Sequence, residues 1–168
     1  MRLLQCRFIS TAIALCACLV GCDTYDITVN DRLVYTPETL FSDYTIDDSA
    51  LSACIDQAIV DAKITTPNKL TTLNCSHSTI SSLAGLSTFT GLTRLKLSSN
   101  DIRNLLELQA LKSLQELYLD NNVIVDPVPL YDLSQLRVLD LSVNATLQCP
   151  EAGAMLGIEV LELPAHCR

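Results

Sequence analysis

Residues 70–80 read LTTLNCSHSTI, residues 92–102 read LTRLKLSSNDI and residues 114–124 read LQELYLDNNVI. Each stretch begins 22 residues after the last, and the same spacing continues to Leu136 and Ile158. Counted from each start, position four is Leu73, Leu95, Leu117, Leu139 and Leu161. Position six is Cys75, Leu97, Leu119, Leu141 and Leu163. Position nine is Ser78, Asn100, Asn122 and Asn144, and position eleven is Ile80, Ile102, Ile124 and Thr146. A period of this length means one supersecondary unit stacked on copies of itself. Positions three to seven predict a short strand with alternate residues pointing inward, and successive strands lie about 4.8 Å apart. The position-nine asparagine faces inward, where its amide can satisfy backbone groups as the chain leaves the strand. For that reason the sequon Asn144-Ala145-Thr146 is read as ladder and not as a glycosylation site.

The pattern L-x-x-L-x-L-x-x-N-x-I is similar to the leucine-rich repeat. Its 22-residue length, with a second apolar run at Leu83, Leu86, Phe89 and at Leu105, Leu108, Leu111, resembles the internalin type. The resemblance covers residues 70–168, about four and a half units. It implies an α/β solenoid with a short parallel sheet on its concave face. The returning half of each unit is expected as a short helix or 3₁₀ turn. LLELQALKS (105–113) can be helical, whereas PVPLYDL (127–133) begins with two prolines and should start extended.

A solenoid exposes its core at both ends, so caps are expected. In DDSALSACIDQAIVDA (47–62), Leu51, Cys54, Ile55, Ala58, Ile59 and Ala62 share a helical face. Residues 47–69 are therefore read as a helical N-terminal cap, with Asp47 or Asp48 as N-cap. Cys75 stands where the other units carry leucine, at an inward position facing that helix, and Cys54 lies in the helix's apolar stripe. Cys149 lies on the return of the fourth unit, near Cys167 in sequence. Four cysteines allow three pairings. Cys75 and Cys149 are three repeats apart, roughly 14 Å, and a disulfide needs Cα atoms within about 7 Å. Only Cys54–Cys75 and Cys149–Cys167 keep both bonds local. An exported compartment permits these disulfide-closed ends.

The N-terminus agrees. Arg2 and Arg7 precede an apolar run from Phe8 to Val20, too short for a bilayer span of roughly 20 residues but laid out as an export signal. The run ends Leu19-Val20-Gly21-Cys22, which resembles the lipobox of bacterial lipoproteins. That resemblance implies a signal peptide over 1–21, cleavage before Cys22, and acylation of Cys22. Several acyl chains make a stable anchor, since one holds only marginally. The expected location is the bacterial cell envelope, facing the periplasm. Asp23 favours the inner membrane by a rule for enteric bacteria that differs between bacterial groups, so the choice of membrane stays open. Residues 22–46 form an acidic segment in which YDITVNDRLVYT alternates around Asn30-Asp31, as a small hairpin would. The segment is not Gly/Ser-rich and can dock on the cap instead of acting as a free tether.

Composition narrows the function. Net charge is −8 over 168 residues, and loss of Arg2 and Arg7 with the signal takes it to −10. Such a chain repels nucleic acid. Aromatics are 5% with no tryptophan, which is poor material for an aromatic-lined small-molecule pocket. There is no G-x-S-x-G, no phosphate-cradling glycine loop and no C-x-x-C metal spacing. His77 reads as a solvated strand-end residue with no carboxylate at motif spacing. No catalytic residue, cofactor, metal or small-molecule substrate is therefore expected.

What remains is the strand face. Position five is Asn74, Lys96, Tyr118, Asp140 and Glu162, and position three is Thr72, Arg94, Glu116, Val138 and Val160. Arg94–Glu116 and Arg137–Glu159 are expected as ordinary surface ion pairs across the ladder. Tyr118, in the middle strand and flanked by Lys96, Asp140, Glu116 and Arg94, has the character of an interface anchor. Leucine-rich repeats of other bacteria commonly bind proteins, so the resemblance implies a non-catalytic module with a protein partner. The rival reading is an envelope component without a specific ligand.

Overall fold

The computed structural model describes residues 27–29, 32–35, 38–151 and 153–167. The signal stretch 1–21, the lipidation position Cys22 and the Asn30-Asp31 turn lie outside the described residues. The chain forms two compact units, one up to Glu38 and one from Thr39. In the first, β1 (Ile27–Val29) and β2 (Arg32–Tyr35) pair antiparallel, with a register shift between Ile27 and Thr28. These strands fall on the alternating stretch around Asn30-Asp31.

The second unit is a leucine-rich-repeat solenoid. Strands β3 (Thr72–Asn74), β4 (Arg94–Lys96), β5 (Glu116–Tyr118), β6 (Val138–Asp140) and β7 (Val160–Glu162) form one sheet in chain order. All four pairings are parallel and in the repeat's own register, from Leu73↔Leu95 through Leu117 and Leu139 to Leu161. In the first four units positions one, four and six, and the isoleucines at position eleven, bury their side chains together with the leucines of the returns, as at Leu92, Leu95, Leu97 and Ile102, whereas Thr146 is exposed and Ile158, Leu161 and Leu163 are partly buried. The returns carry 3₁₀ turns at Leu86–Thr88, Leu106–Ala110 and Val128–Leu130. Glu107 joins two of them, accepting from the amides of Gly85 and Ser87 one unit earlier.

The asparagine ladder explains why a short strand can turn at once. Asn122 donates from Nδ2 to the carbonyls of Leu119 in its own unit and Leu97 in the unit before, at 3.0 Å each, and accepts from the amide of Ile102. Asn100 and Asn144 repeat this arrangement. Asn144 is fully buried, as its reading as a ladder residue requires. Directly before each ladder position the backbone turns left-handed, at His77, Ser99, Asn121 and Val143. Asparagine tolerates that conformation, whereas a β-branched valine is strained in it.

The N-terminal cap is helix α1 (Ser49–Ala62), which buries Leu51, Ile55 and Ile59. Asp48 is the N-cap. Its Oδ1 accepts from the amides of Ala50 and Leu51, and its Oδ2 from the amides of Ser81 and Ser82 and the Ser81 hydroxyl. One carboxylate thus ties the helix start to the first return. Ala62 is exposed, contrary to the expected stripe. The helix ends at a left-handed Lys63, and the turn delivers Ile64 to the core in its place. Ahead of the helix, Thr39–Ile46 lies across the cap. The Phe41 amide donates to the Ile64 carbonyl at 2.8 Å, and Phe41 and Tyr44 meet the buried Phe89 edge-on. Gly85 permits that approach. Its φ is +90°, and a Cβ there would come within 2.1 Å of the Thr45 carbonyl oxygen.

Both disulfides form as the positions of the cysteines require. Cys54–Cys75 has a Cα separation of 5.9 Å and Cys149–Cys167 one of 5.2 Å. Cys75 takes the place of a leucine because its sulfur reaches α1. A second expectation fails. The return at Pro127 does not start extended: Pro127 is in the right-handed helical region and Val128–Leu130 is a 3₁₀ turn. Prolines fit the first turn of a helix, where their missing amides need no partner, and the Asp126 side chain accepts from the Val128 amide at 2.9 Å to set the turn.

Candidate binding face

The residues between the buried leucines of each strand point out of the sheet, so the 22-residue register turns sequence columns into spatial ones. Arg94, Glu116, Lys96 and Tyr118 meet where β4 and β5 pair. Arg94 holds Glu116 through two guanidinium nitrogens, Nε at 2.6 Å and the terminal nitrogen at 2.5 Å. This bidentate hold keeps the Glu116 carboxyl below its ordinary range. The Tyr118 hydroxyl donates to Glu116 at 3.3 Å. Partial burial, and then the Glu116 charge, push the phenol above its ordinary value, so it is neutral at any physiological pH. Lys96 Nζ stands 5.0 Å from the centre of the Tyr118 ring, a cation–π distance. Arg137 and Glu159 pair at 3.0 Å, well exposed.

The structure therefore brings together four of the five expected face residues, Tyr118, Lys96, Glu116 and Arg94, as a self-satisfied cluster. Asp140 is placed one strand further on, opposite Tyr118, with its carboxylate accepting from the Ser142 amide. Tyr118 is half-buried, its ring covered by Lys96 and its hydroxyl engaged.

The more open ground is the C-terminal half of the face. Val138 and Val160 are cross-strand neighbours, and Val160 is 51% exposed. Asp140 and Glu162 lie two residues along the same strands, and Asp120 accepts from the Ser98 hydroxyl. Arg94 and Lys96 place positive charge on β4, while the acids lie on or just beyond β5, β6 and β7. The sequence signal for this patch was two successive valines at position three, where the earlier units carry polar or charged residues. His77 is exposed at its left-handed turn. His166 falls instead beside the second disulfide.

No protein-family model matches the chain, and no curated protein matches it. Solved structures do. An internalin, InlF, from Listeria monocytogenes superposes with a TM-score of 0.60 at 25% identity, covering 71% of this chain and 37% of that one. Internalin C2 from the same organism gives 0.52 at 24% identity, covering 57% and 42%. The chain spans less than half the length of either protein. The likeness establishes the leucine-rich-repeat fold.

Proposed function

We propose that this chain is a non-catalytic protein-binding module, held through acylated Cys22 in a bacterial envelope membrane and facing the periplasm. The observation that carries the binding role is the outward face of the sheet. Five strands in strict register set Val138 and Val160 side by side, with the half-buried Tyr118 diagonal to Val138, between Arg94 and Lys96 on one side and Asp140 and Glu162 on the other. An apolar centre with a polar rim is the anatomy of a protein interface. Strands spaced about 4.8 Å apart give a face only about 20–25 Å wide, so the partner contact is small. Excess acid at the C-terminal end favours a partner that brings lysine or arginine. The anchor rests on the Leu19-Val20-Gly21-Cys22 ending and on two disulfides that need an oxidising compartment.

The experiment is crosslinking in the native host followed by affinity measurement on the captured partner. Val160→Asp and Tyr118→Ala should each weaken binding by about tenfold or more and leave the fold intact. A partner that binds both variants as well as wild type places the contact on the returns or on residues 23–46. The anchor is tested separately by mass spectrometry of the N-terminal peptide, and a mature protein beginning elsewhere than an acylated Cys22 refutes it. One observation favours the rival reading of an envelope component without ligand. Arg94, Glu116, Tyr118 and Lys96 satisfy one another and need no partner. Failure to capture any defined partner by crosslinking would favour that reading.

A further inference from the structure

Position nine of the fifth unit is His166, where the three units before it carry the ladder asparagine. The histidine does not enter the core. It is exposed, and its Nε2 lies 2.9 Å from the Leu147 carbonyl oxygen. A carbonyl can only accept, so in the neutral ring Nε2 carries the proton and Nδ1 is left as the ligand atom. The Cys149 and Cys167 sulfurs and an imidazole nitrogen lie within 4.8 Å of one another. Cys149 is exposed and Cys167 half-buried, whereas Cys75 of the other disulfide is 2% exposed.

We propose that the Cys149–Cys167 disulfide is a redox gate on a metal site, and that its reduction creates a Cys₂His centre for zinc. A dithiol reductant supplies two electrons and two protons, breaks the S–S bond, and closes to its own disulfide. Zinc then displaces the two thiol protons to solvent, binds both thiolates and Nδ1, and keeps water in its fourth position. Three protein ligands and a water form the open tetrahedral pattern. Tetrahedral zinc holds such ligand atoms about 3.5–3.8 Å apart, so the freed sulfurs open from bonding distance by about 1.5 Å and the imidazole closes by about an ångström at most. The Leu147 carbonyl supplies the outer-shell contact that fixes the ring of a metal-bound histidine. Neither the adjacency of His166 and Cys167 nor the distance back to Cys149 forms a recognisable motif, so the site is invisible as a spacing. Reduction requires a reagent to reach sulfur, and of the two described bonds only the C-terminal one offers it an exposed cysteine.

The test uses the full mature chain treated with graded dithiol, freed of reductant without oxygen, and then titrated with Zn²⁺ against a chromophoric chelator. Alkylation mapping should show Cys149 and Cys167 labelled before Cys54 and Cys75. The reduced protein should take up one zinc per chain, and the oxidised protein none at the same metal concentration. Cd²⁺ in place of zinc should give a thiolate charge-transfer band. His166→Ala, whose disulfide still forms when oxidised and whose fold is checked by circular dichroism, should bind zinc about tenfold or more weakly. Equal zinc binding by the oxidised and reduced proteins, or by His166→Ala and wild type, overturns the proposal. So does labelling of Cys54 and Cys75 first.

Discussion

The two ends of the solenoid are closed by similar covalent means and by very different packing. Each has a disulfide over a loop of similar length, with sequence separations of 21 and 18. In the chain-entropy model the two bonds should therefore stabilise about equally. At the N-terminal end, however, the bond only completes a seal already made. Helix α1 covers β3 with Leu51, Ile55 and Ile59, the Thr39–Ile46 strap adds Phe41 and Tyr44, and Asp48 ties helix to return. Among the described residues no helix covers β7 as α1 covers β3. Leu161 and Leu163 are only partly buried, Val160 is 51% exposed and Leu156 is 88% exposed. There the disulfide stands in for a cap instead of reinforcing one. A covalent bond restricts the unfolded chain, but only buried apolar surface excludes water from the last strand.

The sharpest way to break this comparison is to remove each disulfide in turn. Cys75→Ala takes away a buried bond and leaves space against α1, so unfolding in urea should show a loss of about 3–5 kcal/mol. Cys149→Ser should release β7 alone, because repeat units contact only their neighbours and a terminal unit can fray separately. Its mark should be rapid hydrogen exchange at Leu161 with little change in the main melting transition. Equal loss of global stability in both variants would refute the contrast.

Packing separates the ends next. Ile55→Ala removes a fully buried side chain from the cap and should cost about 2–5 kcal/mol. Leu161→Ala removes a half-buried side chain in the final unit and should cost about 1 kcal/mol. Calorimetry on the pair decides it.

Acid sharpens the role of Asp48. Burial pushes its carboxyl up, but hydrogen bonds from the Ser81, Leu51 and Ser82 amides and the Ser81 hydroxyl outweigh this and leave it below its ordinary value. A depressed folded value means that the stabilisation is fully present above the unfolded value, about 3.9. It is lost as pH falls through the folded value. Asp48→Asn should cost about 1–2 kcal/mol at neutral pH, since an amide cannot accept with both ends. Below about pH 4 its stability should fall less steeply than that of wild type, measured by urea midpoints across the pH range.

The smallest effect has the opposite sign. Val143 holds a left-handed φ of +58° and is 66% exposed, at the position where the unit before has Asn121. Val143→Asn should stabilise the fourth unit by about 1 kcal/mol, seen as a raised melting temperature. A neutral or negative result would mean that the strain is already relieved by neighbouring contacts.

Much of this architecture is legible without coordinates because it is periodic. Leu73, Leu95 and Leu117 recur at a fixed interval, and a stacked unit repeats its contacts at the same interval. Column, strand and ladder can therefore be read from one line of text. Cys75 is legible as the one residue that breaks the frame at an end. The contents of the binding face are listed by the same register, but their state is not. That Lys96 covers the Tyr118 ring and Glu116 holds its hydroxyl depends on rotamers, which the spacing leaves free. The open ground consequently moves to Val138 and Val160.

The sequence by itself determined the repeat, the parallel register, the inward asparagines, the capping helix and the cysteine pairs. Each of these depends on residue type at a fixed interval, or on a distance that the interval sets. Only the tertiary structure decided what happens between segments with no shared period. Asp48 reaches Ser81 across 33 residues and Phe41 reaches Phe89 across the cap. The Pro127 return tightens into a 3₁₀ turn because Asp126 accepts from Val128. His166 comes to rest against Cys149, a contact that no repeat interval relates. A stacked repeat propagates its own geometry from neighbour to neighbour, whereas contacts between segments that share no period are set by packing alone.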